Sequence, residues 1–249
     1  MRIEGSVALV TGAGRGLGLV LVRALAERGA RTVYGAARDP AAVTEPGVVP
    51  VALDITDPDR VAQVAAECPD VNLLINNAGV MTSSPLIGAP GTEGARLEME
   101  TNYCGTLYMC RAFAPVLAAN GGGALVNILS IVSWFTNPGN GSYSASKAAA
   151  WALTNGVRIE LARQGTLVTG VHVGFIDTDM TAGLDVPKVS PDDVATQVLD
   201  GVEAGQTEVL IGDRTRRVKA SLPRDHELIY PAVQAAWDAG NTMPVGGQG

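Results

Sequence analysis

Three side chains in this sequence have the types and spacing for acid–base chemistry on an oxygen. They are Ser130, Tyr143 thirteen positions later, and Lys147 four beyond that. On a helix, Tyr143 and Lys147 fall one turn apart and face the same side. A free phenol has a pKa of roughly 10. A nearby ammonium and the positive ring of an oxidised nicotinamide both favour the phenolate and lower that value. Tyr143 then gives a proton to a carbonyl oxygen as hydride arrives, or takes one in the reverse direction. Ser130 hydrogen-bonds the same oxygen and steadies the developing alkoxide. Ser133 is a rival, but the thirteen-residue spacing favours Ser130. His172 falls late in an apolar run and reads as a core residue rather than an acid or base.

Such chemistry needs a hydride carrier, and the sequence has a place for one. Thr11-Gly12-Ala13-Gly14-Arg15-Gly16-Leu17-Gly18 follows the apolar run Val7–Val10 and opens a helical pattern, the context of a dinucleotide loop. Gly12 allows the tight turn. Gly16 lets backbone approach a pyrophosphate over the helix N-terminus. Leu17 starts the helix, and Gly18 lets it pack close to the sheet. NAD enzymes carry an acidic ribose reader at the end of the second strand. Here the chain reads Gly35-Ala36-Ala37-Arg38-Asp39. Arg38 and Arg15 together favour a 2′-phosphate, hence NADP(H) over NAD(H). Asp39 is the alternative reader if the strand runs one residue longer. Asp54, with Ile55 beside it, ends the third strand, where a carboxylate meets an adenine amino group or caps a turn. Asn77, Ala78 and Gly79 end the fourth, with amides tying strands together and backbone facing the adenosine ribose.

Alternating strand and helix patterns must position these groups. Strands are expected at Val7–Val10, Arg31–Ala36, Val48–Leu53, Val71–Ile75, Ala124–Leu129, Leu167–Val173 and Glu208–Ile211. Helices are expected from Leu17 to Glu27, from Asp57-Pro58 to Glu67, over Glu93–Ala119 with bends near Gly105 and Pro115, over Tyr143–Ala162, and from Ser190-Pro191 onward. The pattern predicts an α/β fold: a doubly wound parallel sheet, Rossmann-like, with helices on both faces. Residues 1–249 read as one domain. Residues 177–190 read as a lid over the substrate cleft, and the Gly- and Pro-rich tail after Gly240 as frayed.

From Val7 to Met180 the series resembles the short-chain dehydrogenase/reductase family of the single-domain type. Thr11–Gly18, Asp54, Asn76-Asn77-Ala78-Gly79, Asn102, Ser130, Tyr143-Ser144-Ala145-Ser146-Lys147 and Gly174 to Thr178 stand in the family's order. The resemblance implies that Lys147 also holds the nicotinamide ribose and that Asn102 anchors a proton-relay water. It implies cofactor contacts from Gly174, Ile176 and Thr178 as well. The family's proline before Gly174 is replaced by Val173, which leaves that turn less rigid. The family's glycine three residues after the serine is Ser133, followed by Trp134 and Phe135, aromatics that line the substrate pocket or pack beneath it. The small face Ala145, Ala148, Ala149, Ala152 resembles the family's paired-helix dimer surface. A homodimer is expected, and a tetramer is less secure because Thr215–Trp237 departs from the usual ending.

Composition narrows the classes. Of 249 residues, 47% are hydrophobic and 17% charged, which suits a large core with little linker. A net charge of −7 argues against nucleic acid, which requires a basic face. No apolar run reaches the roughly 18–20 residues of a membrane span. Cys68, Cys104 and Cys110 have no metal-ligand spacing and read as reduced packing residues in a cytoplasmic protein. With Met81, Leu86, Trp134, Phe135, Met180 and Leu184 near the cleft and no arginine clamp in view, an apolar carbonyl or alcohol is the expected substrate. The reading is an NADP(H)-dependent carbonyl reductase or alcohol dehydrogenase. The alternative is a non-catalytic dinucleotide sensor or scaffold on the same fold. A sugar-nucleotide epimerase normally needs a further substrate domain, for which there is no room.

Overall fold

A computed structural model describes residues 1–240, so the tail expected to fray lies outside the described residues. Seven strands form one parallel sheet in the order β3-β2-β1-β4-β5-β6-β7. They are β1 (Val7–Thr11), β2 (Thr32–Ala37), β3 (Val48–Ala52), β4 (Leu73–Asn76), β5 (Ala124–Ile128), β6 (Leu167–Val173) and β7 (Glu208–Ile211). The central strands are buried almost throughout because both sheet faces are covered. Side chains alternate across the pleat. Ala8, Val10, Leu73 and Ile75 therefore meet Leu17, Leu21 and Leu25 of α1 (Gly16–Glu27) and Val194, Val198 and Leu199 of α6 (Pro191–Glu203). Val7, Leu9 and Leu74 face the other way. They meet Val61 and Val64 of α2 (Pro58–Glu67) and Met109, Phe113 and Leu117 of α4 (Thr106–Ala119).

The helix starts follow their local chemistry. Asp57 caps α2 by accepting from the backbone N–H of Asp59 and Arg60, with Pro58 in the first turn. Ser190 does the same for α6 through Asp193 N–H. The single bent helix expected over Glu93–Ala119 is two helices, α3 (Glu93–Met99) and α4, joined by a widened π turn at Glu100–Gly105. Such turns insert one residue into the ladder and re-aim the chain. Gly105 ends the turn where a Cβ would lie 2.8 Å from the side chain of Ile55. The helix carrying Tyr143, α5 (Gly141–Leu161), starts two residues before that tyrosine.

Beyond β7 the chain forms α7 (Asp213–Ser221), α8 (Asp225–Leu228) and α9 (Tyr230–Asp238). Ile229 and Val233 pack with Val218 and Leu222 on Ile131 and Phe135. The C-terminal helices thereby cover the segment that follows Ser130.

The sheet reverses its winding between β1 and β4, and the crevice at the carboxyl ends of these strands is where such folds bind ligands. Its tightest point is Gly18. A Cβ there would overlap the carbonyl oxygen of Gly12 and lie 2.7 Å from Asn77 Nδ2. Gly18→Ala is therefore expected to cost about 1–3 kcal/mol, read as a lower urea midpoint at unchanged slope. An unaltered midpoint would show that the helix does not need this approach.

Candidate active site

At the β1–α1 loop, Gly12 and Gly16 take positive φ values of 69° and 54°. The Thr11 hydroxyl accepts from the backbone N–H of Asn77 and of Ala78, both at 3.0 Å. Asn77 Nδ2 donates to Thr11 O at 2.9 Å. The neighbouring Asn76 donates to Asn127 Oδ1 at 2.9 Å, and Asn127 in turn to Thr154 Oγ1. The amides at the end of β4 thus tie β1, β4, β5 and α5 together.

Arg15 and Arg38 are both exposed beside this loop and at the end of β2. Strand β2 runs to Ala37, one residue beyond the expected end, the extension under which Asp39 was the alternative reader. The Asp39 carboxylate instead accepts from Ala41 N–H at 3.0 Å and caps the short turn Pro40–Ala42. Asp54 accepts from the backbone N–H of Thr56 at 2.9 Å and from its hydroxyl at 2.7 Å. The Thr56 N–H bond is the main reason its carboxyl stays below the usual range. Ile55 is buried against Gly105.

A strip of bare backbone links this end to the region of Asn102 and Lys147. A Cβ on Gly16 would lie 3.5 Å from the Thr178 methyl. One on Gly79 would lie 3.1 Å from Asn102 Oδ1 and 3.6 Å from Lys147 Nζ. A glycine-lined groove with guanidiniums at one end and an ammonium at the other fits a dinucleotide. The segment after Val173 holds its shape without the family's proline. Val189 N–H donates to Phe175 O at 2.9 Å, Asp177 N–H donates to Val189 O at 3.0 Å, and the Thr181 hydroxyl donates to Ile176 O. These bonds fix Gly174, Ile176 and Thr178 in place of the missing ring.

At the other end of the groove, Ser130, Tyr143 and Lys147 come together. The Ser130 hydroxyl is buried, accepts from Val132 N–H at 3.3 Å and favours the ionised form of the Tyr143 phenol. Ser133 is not a competitor, because its hydroxyl folds back to accept from Ser130 N–H at 3.2 Å. Lys147 Nζ donates to Ile128 O at 3.0 Å and lies 5.8 Å from the centre of the Tyr143 ring. The expected lowering of the phenol is reversed by the protein's own groups. Burial pushes Tyr143 up to about 12, with Glu98 adding to the rise and Ser130 opposing it. Burial also brings Lys147 down to about 8. A low-dielectric site disfavours both charged forms, and burial of this kind is not visible in a spacing pattern.

Asn102 sits inside the widened turn, 1% exposed. Its Nδ2 donates to Val80 O and to Ser146 Oγ, and its Oδ1 accepts from Val80 N–H, all at 2.9 Å. Both amide protons are used, and the main-chain oxygen accepts from Thr106 Oγ1 at 2.9 Å. The geometry is that of a clamp holding the strand end that carries Gly79 to the helix that carries Tyr143 and Lys147.

Sequence reasoning missed several groups around this site. Thr11 stands in the glycine motif, but it is its hydroxyl, tying the end of β4 to β1, that the motif does not disclose. Glu98 is fully buried between exposed Leu97 and Met99, the inverse of an amphipathic signal. It accepts from Thr82 N–H at 2.6 Å and from Ser142 Oγ at 2.5 Å, joining the loop after β4 to the start of α5. Trp134 stacks on His172 with ring centres 3.9 Å apart, under Lys219, and Phe135 is buried. These aromatics pack beneath the cleft. The three cysteine thiols are free. Burial raises Cys68 to about 11 and Cys110 to about 12, so neither is nucleophilic near neutrality.

His172 is fully buried and donates from Nδ1 to the Ser130 carbonyl at 3.1 Å. Its pKa falls to about 4, chiefly by burial, with Glu208, Lys219 and Arg158 as the charged neighbours. A histidine held neutral in the folded state contributes its full stability above the unfolded value near 6.5. That contribution is lost as pH falls toward 4, since the unfolded chain then binds the extra proton. The unfolding free energy of the wild type, relative to His172→Asn, should drop by on the order of 3 kcal/mol between pH 6.5 and 4. A difference independent of pH would show that His172 is not held neutral.

The profile of the family described as short chain dehydrogenase matches residues 6–188. A 3-oxoacyl-[acyl-carrier-protein] reductase of Vibrio cholerae serotype O1 is 31% identical over 99% of this chain and 98% of its own length. A sorbitol dehydrogenase of Cereibacter sphaeroides is 33% identical over 74% of this chain and 76% of its own. The crystal structure of a short chain dehydrogenase from Burkholderia cenocepacia in complex with NADP superposes with a TM-score of 0.88. It is 45% identical and covers 94% of this chain and 99% of the other. With the parallel sheet, the glycine-lined groove and the Ser130–Tyr143–Lys147 cluster in place, this chain belongs to the short-chain dehydrogenase family of oxidoreductases.

Proposed function

We propose that this protein is an NADP(H)-dependent oxidoreductase that interconverts a ketone or aldehyde with the corresponding alcohol, with carbonyl reduction by NADPH as the favoured direction. The observation that carries the reading is the grouping of Ser130, Tyr143 and Lys147 at one site, with Lys147 beside the bare backbone of Gly79. The cofactor, when bound, supplies the hydride. Tyr143, held as a neutral phenol by burial, donates its proton to the substrate oxygen, and Ser130 donates a hydrogen bond to that oxygen as charge develops on it. Lys147 fixes the cofactor ribose from a position set by Ile128 O. Asn102 keeps Gly79 and Tyr143 in register through Val80 and Ser146. A phenol near 12 suits the reductive direction, in which the tyrosine begins protonated.

Use of Asp39 as a turn cap, with Arg38 and Arg15 exposed nearby, supports a 2′-phosphate reader. The Burkholderia relative's complex with NADP supports the same choice. A homodimer through the outer faces of α4 and α5 accounts for the exposed Ile159 (78%) and the small residues Ala145, Ala148, Ala149 and Ala152. Three free cysteines support a reducing, cytoplasmic compartment.

Tyr143→Phe should retain NADPH binding by nicotinamide fluorescence and lose about 10²–10⁴-fold in carbonyl turnover. Near-normal turnover would remove Tyr143 from the chemistry. Wild type should bind NADPH more tightly than NADH, and Arg38→Ala should erase most of a preference of about tenfold or more. Equal affinities in the wild type would return the reader's role to Asp39 or to backbone.

A further inference from the structure

At the carboxyl end of β6 and β7 a cavity of about 310 Å³ opens between the lid segment and α7. Its walls include Phe175, Val189 and Ile211, and three cationic side chains line it: Lys188, Arg214 and Arg217. This concentration of positive charge stands out in a chain of net charge −7. Among the described residues that line it, the acidic one is Asp213, which pairs with Arg216 at 2.7 Å. Lys188 reaches Asp177 of the lid only at 3.6 Å. Arg214 is half-buried, with its guanidinium carbon 5.7 Å from the centre of the Phe175 ring. Burial and then the charge of Arg217 both disfavour its ionised form. A guanidinium held on an aromatic face next to a second one is geometry for gripping a carboxylate or phosphate.

The sheet register sets where that anion lies relative to the chemistry. Ile128 pairs with Val171, so Ser130 continues β5 level with Val173, and Val173 pairs with Ile211. Ser130, Gly174–Phe175 and Gly212–Arg214 therefore follow one row across three neighbouring strands. At about 4.8 Å between strands, the row spans about 10 Å.

We propose that Arg214, with Arg217 and Lys188, forms an anion-binding subsite of the substrate cleft, and that the substrate is a carbonyl compound or alcohol bearing a carboxylate or phosphate several bonds from the reacting carbon. This rests on the oxidoreductase reading above and revises the expected apolar substrate. The arginines that supply the clamp lie on α7, some forty residues beyond Phe175, in a part of the chain whose placement no motif discloses.

The test compares NADPH-dependent reduction of 7-oxooctanoate and its methyl ester, whose chains reach from one end of that row to the other. The acid should be preferred about ten- to a hundredfold in kcat/KM, the span of a charge-assisted hydrogen bond. The preference should collapse toward unity in Arg214→Gln, fall in the exposed-site variant Arg217→Gln, and be partly restored in Arg214→Lys. Equal use of acid and ester by the wild type would overturn the subsite while leaving the oxidoreductase intact. So would a preference that survives both glutamine variants, or an Arg214→Gln variant that weakens NADPH binding with the preference unchanged. If neither ketone turns over, calorimetric titration of the NADPH-loaded protein with octanedioate decides the point separately. Binding lost in Arg214→Gln supports the subsite and tells against this carbonyl chemistry, whereas no binding, or binding unaffected by the variant, overturns the subsite.

Discussion

The amide of Asn102 pins three segments that have no covalent reason to stay in register. Through Val80 it holds the loop that carries Gly79, and through Ser146 the helix that carries Tyr143 and Lys147. It does so from inside a widened turn between α3 and α4. A buried amide with its donors satisfied rigidifies its surroundings, and a half-satisfied one is costly. The π turn makes this possible by placing Asn102 where a regular helix would not. The parallel sheet supplies the carboxyl edge, and the clamp sets how Gly79, Tyr143 and Lys147 are spaced along it.

Around that clamp, burial dominates the electrostatics. Tyr143, Lys147 and His172 are all pushed toward their neutral forms, and desolvation is the largest cause in each case. Glu98, fully buried on the same wall, takes hydrogen bonds from Thr82 and Ser142 and disfavours the Tyr143 phenolate. A tyrosine in this setting is held as the neutral phenol. Positive charge placed beside it favours the phenolate instead.

The C-terminal helices close over the segment that follows Ser130. Ile229 and Val233 seal the segment after Ser130 against Ile131 and Phe135, while Lys219 covers the Trp134–His172 stack. The same helices carry Arg214 and Arg217 to the end of β6. One short stretch of sequence therefore packs against the segment after Ser130 and places Arg214 and Arg217 at the end of β6 and β7.

Much of the fold was legible because its signals are local. Wholly apolar strands, the Asp57-Pro58 and Ser190-Pro191 starts, and the glycine loop each depend on residues close in the chain. Their order specifies a doubly wound sheet. The pairing of Tyr143 with Lys147 was legible for the same reason, since four residues make one helical turn. The rest depends on contacts across long sequence separations. The π turn at Glu100–Gly105, the burial of Glu98, the use of Asp39 as a cap and the ionisation of Tyr143 were hidden in the sequence. So was the meeting of Arg214 with Phe175. Each is decided by which distant groups are packed alongside and by how much water they exclude. The chain by itself determined the sheet, the glycine loop and the spacing of Ser130, Tyr143 and Lys147. Only the tertiary structure decided the protonation of Tyr143 and Lys147 and the clamp around them, because desolvation and long-range hydrogen bonds exist only once the chain is folded.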